Sequence, residues 1–163
     1  MEEKIVYLGL GTNRGDKPGN LERAINLIAE RTGNIFSRSS VYITEPWGFS
    51  DDEYFLNQVV GVKTAMEPMP LLISIKEIEN GLGRHRTGTG YQPRTIDIDI
   101  LFYNDLISQT SDLKIPHPLL HERKFVLIPL AEIAGENIHP VYKKSVHALL
   151  AECQDQSNVE KLT

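Results

Sequence analysis

From Lys4 the chain runs KIVYLGLG, an apolar stretch rich in β-branched and aromatic types that two glycines end, and this predicts an opening strand. NLERAINLIAER then changes period. Leu21, Ala24, Ile25 and Ile28 share one helical stripe, and Gly33 is the expected stop. Residues 35–44 suit a second strand, the loop EPWGFSDDE follows, and FLNQVVGVKT reads as a third. PLLISIKEIENGLG returns to helical spacing through Leu71, Leu72, Ile75, Ile78 and Leu82, closed by glycines. A glycine-rich loop, GRHRTGTGYQP, leads into RTIDIDILFY. There, strict alternation predicts a strand with Ile96, Ile98, Ile100 and Phe102 on one face and Asp97 and Asp99 on the other.

The order βαββαβ predicts an antiparallel sheet with both helices on one face, a ferredoxin-like α+β sandwich. From Asn104 onward the pattern adds a hairpin-like turn, the segment IPHPLLHERKF and one or two short helices. No repeat, low-complexity tract or linker interrupts the chain, so residues 1–163 are expected to form a single domain.

Composition narrows the function classes. A formal net charge of −5 argues against general binding to nucleic acid or to a membrane surface. The start MEEKIVYLGLG lacks a basic region and a long apolar run, and no segment is long and apolar enough to span a bilayer. The single cysteine, Cys153, has no partner for an internal disulfide, which suits a reducing compartment. The expectation is a cytoplasmic protein, a monomer or weak dimer, with small-molecule partners.

Asp97 and Asp99 set the chemical question. Aspartate is depleted in strands, and two at i and i+2 repel. They could simply face solvent. The flanks favour more: between Glu79 and Asp97 there is no acidic residue, while Arg84, His85, Arg86 and Arg94 are all present. Lys114, His117, His121, Arg123 and Lys124 form a second cationic group. Carboxylates beside a polyanion site need a cation between them, and Mg²⁺ takes one or two carboxylates plus phosphate oxygens. Arginine forks suit the remaining phosphate oxygens. Glycines at 83, 88 and 90 would let the loop close. The pattern describes phosphoryl transfer without a P-loop, because GxxxxGK[ST] occurs nowhere. GLGTNRG does not supply a dinucleotide fingerprint, since Arg14 stands where its third glycine belongs. Trp47, Phe55, Asn57 and Phe125 suggest a pocket for a flat heterocycle, although lone phenylalanines also serve as core. The alternatives are a nucleotidyl transferase with paired strand aspartates and a non-catalytic ligand- or RNA-binding module, although RNA binding wants exposed aromatics where this strand carries aspartates.

PRTIDIDIL resembles the R-x-x-D-x-D part of the signature of the 6-hydroxymethyl-7,8-dihydropterin pyrophosphokinase family of folate biosynthesis. GTN at 11–13, YITEPWG at 42–48, FLN at 55–57, GLGR at 81–84 and IPHP at 115–118 follow in the family's order. The resemblance implies two Mg²⁺ ions on Asp97 and Asp99, bridging the phosphates of ATP. It implies Arg84, Arg86, Arg94, His117 and Arg123 on the triphosphate, with Arg84 and Arg94 acting in the chemical step. Lys76, Glu79, Tyr91 and Ile100 would line the nucleotide site. Thr44, Pro46, Trp47, Phe55, Asn57 and Phe125 would enclose the pterin, with both phenylalanines stacking on its faces. The implied reaction is attack of the hydroxymethyl oxygen on the β-phosphorus of ATP. Asp112 and Pro118 depart from residues some members carry near the phosphates and are left outside the site.

Overall fold

A computed structural model of the protein describes residues 2–44, 54–83, 86–87, 90–91 and 95–162; at 83, 86–87 and 90–91 it describes backbone alone. Strand β1 (Lys4–Thr12) leads through helix α1 (Lys17–Arg31) to two short strands, β2 (Asn34–Arg38) and β3 (Tyr42–Thr44). Strand β4 (Phe55–Thr64) precedes helix α2 (Pro68–Gly83). A small ribbon follows, β5 (Arg86–Thr87) with β6 (Gly90–Tyr91), before strand β7 (Asp97–Tyr103). The C-terminal part holds a hairpin of β8 (Ser108–Gln109) and β9 (Lys114–Ile115), helices α3 (Lys124–Ala134) and α4 (Val146–Glu152), and strand β10 (Val159–Lys161).

Strand β1 is central, antiparallel to β4 on one side and β7 on the other, while β2 and β3 both pair with β4. The last strand of the βαββαβ core therefore lies beside the first, and the third beside the second. This is the expected ferredoxin-like arrangement.

Helix α1 begins where Asp16 accepts a hydrogen bond from the Gly19 N–H (3.2 Å), with Pro18 inside the first turn. It buries Leu21, Ala24, Ile25 and Ile28, as the spacing predicts. With Leu71, Ile75 and Ile78 of α2, these cover Val6, Leu8, Val60, Ile98 and Ile100 on one sheet face. Gly33 acts by close approach rather than as a left-handed cap. A Cβ there would lie 2.2 Å from the Lys63 carbonyl oxygen, so any side chain would push α1 off β4.

Three expectations change. Residues 35–44 do not form one strand. Ser39 interrupts it: its N–H donates to the Val59 carbonyl (2.8 Å), and its hydroxyl accepts from the Val59 N–H (2.9 Å). A side chain thus completes the ladder where the backbone turns aside. Phe102 does not share a face with the isoleucines. Tyr7 pairs with Phe102 but Leu8 pairs with Ile100, which leaves Leu101 as the extra residue of a bulge. Beyond that bulge the side-chain alternation reverses. Phe102 accordingly packs with Tyr7, Val59, Leu127, Leu130 and Val146 on the opposite face, where α3 and α4 form a second core. Finally, the glycines do not end the opening strand: β1 runs through Gly9 and Gly11 to Thr12, and both glycines pair with β4 and with β7. The C-terminal segment joins the sheet as β10, paired with β3. No helix among the described residues is long and apolar enough to cross a membrane.

The turn between α3 and α4 is organised by a buried histidine. His139 is 3 % exposed, and its Nδ1 accepts from the N–H groups of Val141 (3.1 Å) and Tyr142 (3.2 Å). Its ring meets Phe102 edge-on at 5.7 Å. Burial, aided by nearby His121, lowers its pKa to about 4. The unfolded chain takes up this proton near pH 6.5 and the folded chain does not, so acid favours unfolding. Stability supplied by the neutral ring is complete above pH 6.5 and is lost as pH falls towards 4, by about 3 kcal/mol at most. Urea unfolding at pH 7 and pH 4.5 should show His139→Asn less stable at neutrality but less acid-sensitive than the parent. Parallel pH curves would exclude this role.

Candidate active site

On the face opposite α1 and α2, a cleft of about 430 Å³ opens over the middle of the sheet. Its floor is β1, where Gly9 and Gly11 present no side chains. Gly9 pairs with Val59 and Asp99, and Gly11 with Asn57 and Asp97. A Cβ on Gly11 would sit 3.0 Å from Asn57 Oδ1, tight enough to displace that amide. In the sequence these glycines marked a strand end, a broken dinucleotide motif and, through GTN, part of the family resemblance. Their i, i+2 spacing inside a strand was the available sign of a backbone floor.

One wall comes from β3 and β4. Asn57 is buried, and its Nδ2 donates to Thr44 Oγ1 (3.1 Å), which orients the amide. Phe55, at the start of β4, lines the same wall. Asp97 and Asp99 project from β7 across the floor, both on its exposed side, and Leu101 lies beside them. Arg123 and Phe125 close the cleft from the start of α3; the guanidinium carbon lies 5.7 Å from the centre of the Phe125 ring. Ser157 from the C-terminal segment also lines it. Helix α3 is tied to the sheet edge by Glu132, which accepts from the Ser40 N–H (3.1 Å), the Ser40 hydroxyl (2.9 Å) and the Tyr42 hydroxyl (2.6 Å). Burial and this bond raise the Tyr42 hydroxyl to about 12.

His117 stands beside the carboxylates, with Nε2 3.9 Å from Asp99 Oδ2. Its Nδ1 accepts from the Leu119 N–H (3.1 Å), so the neutral ring carries its proton on Nε2, toward Asp99. Burial lowers its pKa; Asp99 opposes that effect and Arg123 adds to it.

Thus Thr44, Phe55, Asn57, Asp97, Asp99, Arg123 and Phe125 share one cleft. Glu79 and Ile100 do not. Ile100 packs in the core under α1 and α2. Glu79 is buried; its Oε1 lies 3.3 Å from Lys76 Nζ, and its Oε2 accepts the Ile98 N–H at 2.7 Å. Glu79 therefore grips β7 between the two aspartates. Lys76 is exposed on α2. Pro46, Trp47, Arg84 and Arg94 lie outside the described residues, and Arg86 and Tyr91 are described only as paired backbone of the β5–β6 ribbon.

The sequence profile of the 7,8-dihydro-6-hydroxymethylpterin-pyrophosphokinase family matches residues 7–135. The chain belongs to this family. It is 44 % identical over 139 residues to the 2-amino-4-hydroxy-6-hydroxymethyldihydropteridine pyrophosphokinase of Aquifex aeolicus, covering 85 % of this chain and 86 % of that protein. The Bacillus subtilis enzyme of the same name is 43 % identical over 133 residues, covering 81 % and 79 %. The Dictyostelium discoideum folic acid synthesis protein is 40 % identical over 158 residues, 97 % of this chain but 24 % of that one. Among solved structures, wild-type Plasmodium falciparum HPPK-DHPS with pterin and p-hydroxybenzoate superposes with a TM-score of 0.74 at 21 % identity, which speaks for the fold. That match covers 93 % of this chain but 42 % of the longer one.

Asp97 and Asp99, at a neighbour spacing of ~6–7 Å, repel by roughly 0.6 kcal/mol where water reaches them. Asp99 is about half exposed (48 %), and its neighbour is an imidazole held toward neutrality. Asp99→Ala should therefore melt at or slightly above the parent temperature when both are measured in chelator. A fall of several degrees would mark Asp99 as a structural residue.

Proposed function

We infer that the protein transfers the pyrophosphoryl group of ATP to 6-hydroxymethyl-7,8-dihydropterin, giving AMP and the pterin pyrophosphate, a step of folate biosynthesis. One observation carries this reading beyond family membership. A single cleft is lined by a pair of carboxylates, an oriented amide and two phenylalanines, so a charged donor and a flat acceptor can meet there.

The flat pterin would stack on Phe55 and Phe125, which line the same cleft. Asn57, with its Nδ2 committed to Thr44, keeps Oδ1 for an N–H on the heterocycle edge. The glycine floor lets the ring lie close to β1. Asp97 and Asp99 offer hard oxygen ligands at the cleft's phosphate end, and this donor set fits Mg²⁺. When bound there, Mg²⁺ would offset phosphate charge and bring ATP to carboxylates that would otherwise repel it. Arg123 and the Nε2–H of His117 would donate to phosphate oxygens, as would Arg84, Arg86 and Arg94. The hydroxymethyl oxygen bonds to the β-phosphorus and its proton passes to water; the bond from that phosphorus to the α–β bridging oxygen breaks, and AMP leaves with that oxygen. Lys76 and Glu79 lie on the α2 side of β7, where the nucleoside could extend past the strand edge.

Incubation with ATP, Mg²⁺ and the hydroxymethyl pterin should yield AMP and a doubly phosphorylated pterin. ADP, or free pyrophosphate with an adenylated pterin, would refute the assignment; the second outcome is that of a nucleotidyl transferase. Phe125→Ala should weaken pterin binding by on the order of 1 kcal/mol, leaving ATP binding nearly unchanged. A folded variant that binds pterin like the parent would show that the stacking site is elsewhere.

A further inference from the structure

We propose that the C-terminal segment belongs to the acceptor pocket: Asp155 is a positioning residue that holds the first turn of α3, and with it Phe125, in place, and Ser157 completes the cleft wall. This rests on the assignment of the cleft to the pterin. It concerns residues beyond position 135, where the family profile ends.

Helix α3 is poorly equipped to fix its own start. Its N-cap is Arg123, in extended conformation and without a capping side chain, and the first turn contains no acidic residue. Pro129 lies inside the helix. It has no N–H to give to the carbonyl of Phe125 four residues earlier, so the helix loses a bond at that residue. The missing support comes from 31 residues downstream, where Asp155 Oδ2 accepts the Lys124 N–H at 3.0 Å. That puts a negative charge on the positive end of the helix, one residue before Phe125.

Asp155 is itself held. Its Oδ1 accepts from the Ser157 hydroxyl (2.5 Å) and the Ser157 N–H (2.9 Å). Burial pushes its carboxyl up, but the bonds from Ser157 and Lys124 outweigh burial and keep it below the ordinary range. Ser157 lines the cleft. Two residues later the chain joins the sheet as β10, with Val159 opposite Thr44 and Lys161 opposite Tyr42, and Leu162 donates to the Val41 carbonyl (2.8 Å). Thr44 is the residue that orients Asn57. One short segment therefore connects both walls of the acceptor pocket, the Phe125 side through Asp155 and the Asn57 side through the pairing with β3.

The test is steady-state kinetics on the full-length parent, Asp155→Ala, Asp155→Asn and Ser157→Ala, varying pterin at saturating Mg·ATP and then ATP at saturating pterin. Asp155→Ala should raise the pterin KM roughly tenfold, the scale of a lost helix cap, and the ATP KM by clearly less, because Arg123 is one of several groups on the phosphates. Asp155→Asn keeps an acceptor oxygen and should recover most of that loss. Ser157→Ala keeps the carboxylate, removes one of its anchors and should raise the pterin KM by about threefold; it carries the test if Asp155→Ala does not fold. A purely structural role would lower kcat through fewer folded molecules and leave KM alone. An active parent whose folded variants keep the parent's pterin KM overturns the inference by itself. A parent that transfers no pyrophosphate to the pterin overturns the functional reading and this inference with it.

Discussion

The register of β7 is the constraint on which the site depends. Its Ile98 and Ile100 side chains are sealed against α1 and α2, which leaves Asp97 and Asp99 the cleft side. A slip of one residue would exchange the faces, burying two carboxylates and exposing two isoleucines. Each buried charge would cost several kcal/mol, and each isoleucine would forfeit about 1.5–3 kcal/mol. Glu79 reinforces the register from the side, because its carboxylate takes the backbone N–H of the residue between the aspartates. The repulsion between Asp97 and Asp99 is small against these terms. The strand can therefore hold both charges together on the cleft side.

The opposite face of the sheet is built around what β1 omits. Two glycines at its centre leave space that larger residues would fill, and the walls around that space come from distant parts of the chain. Asn57 is set by Thr44 across the β3–β4 pairing. Helix α3 is placed by Glu132 at the sheet edge and by Asp155 at its first turn. The bulge at Leu101 separates two roles of one strand: before it the outward residues are acidic and serve the cleft, and after it Phe102 anchors the second core.

The amino-acid sequence by itself determined the βαββαβ order, because apolar period distinguishes helix from strand wherever one face is buried. It determined that Asp97 and Asp99 share a face, since period-two alternation requires it over three residues. The family resemblance rested on short motifs, PRTIDIDIL the most specific, that follow one another in the family's order. Tertiary structure alone decided the rest. A bulge is a mismatch between two strands and leaves no periodic mark on either, so the face of Phe102 could not be read along β7. Glu79 carries no sign in the sequence of the Ile98 N–H that it accepts, a contact that only the packing of α2 on β7 creates. Nothing in the sequence sets Asp155 apart from the other polar residues near it. Its value depends on a helix start 31 residues earlier that lacks a cap of its own, and folding brings those two deficits together.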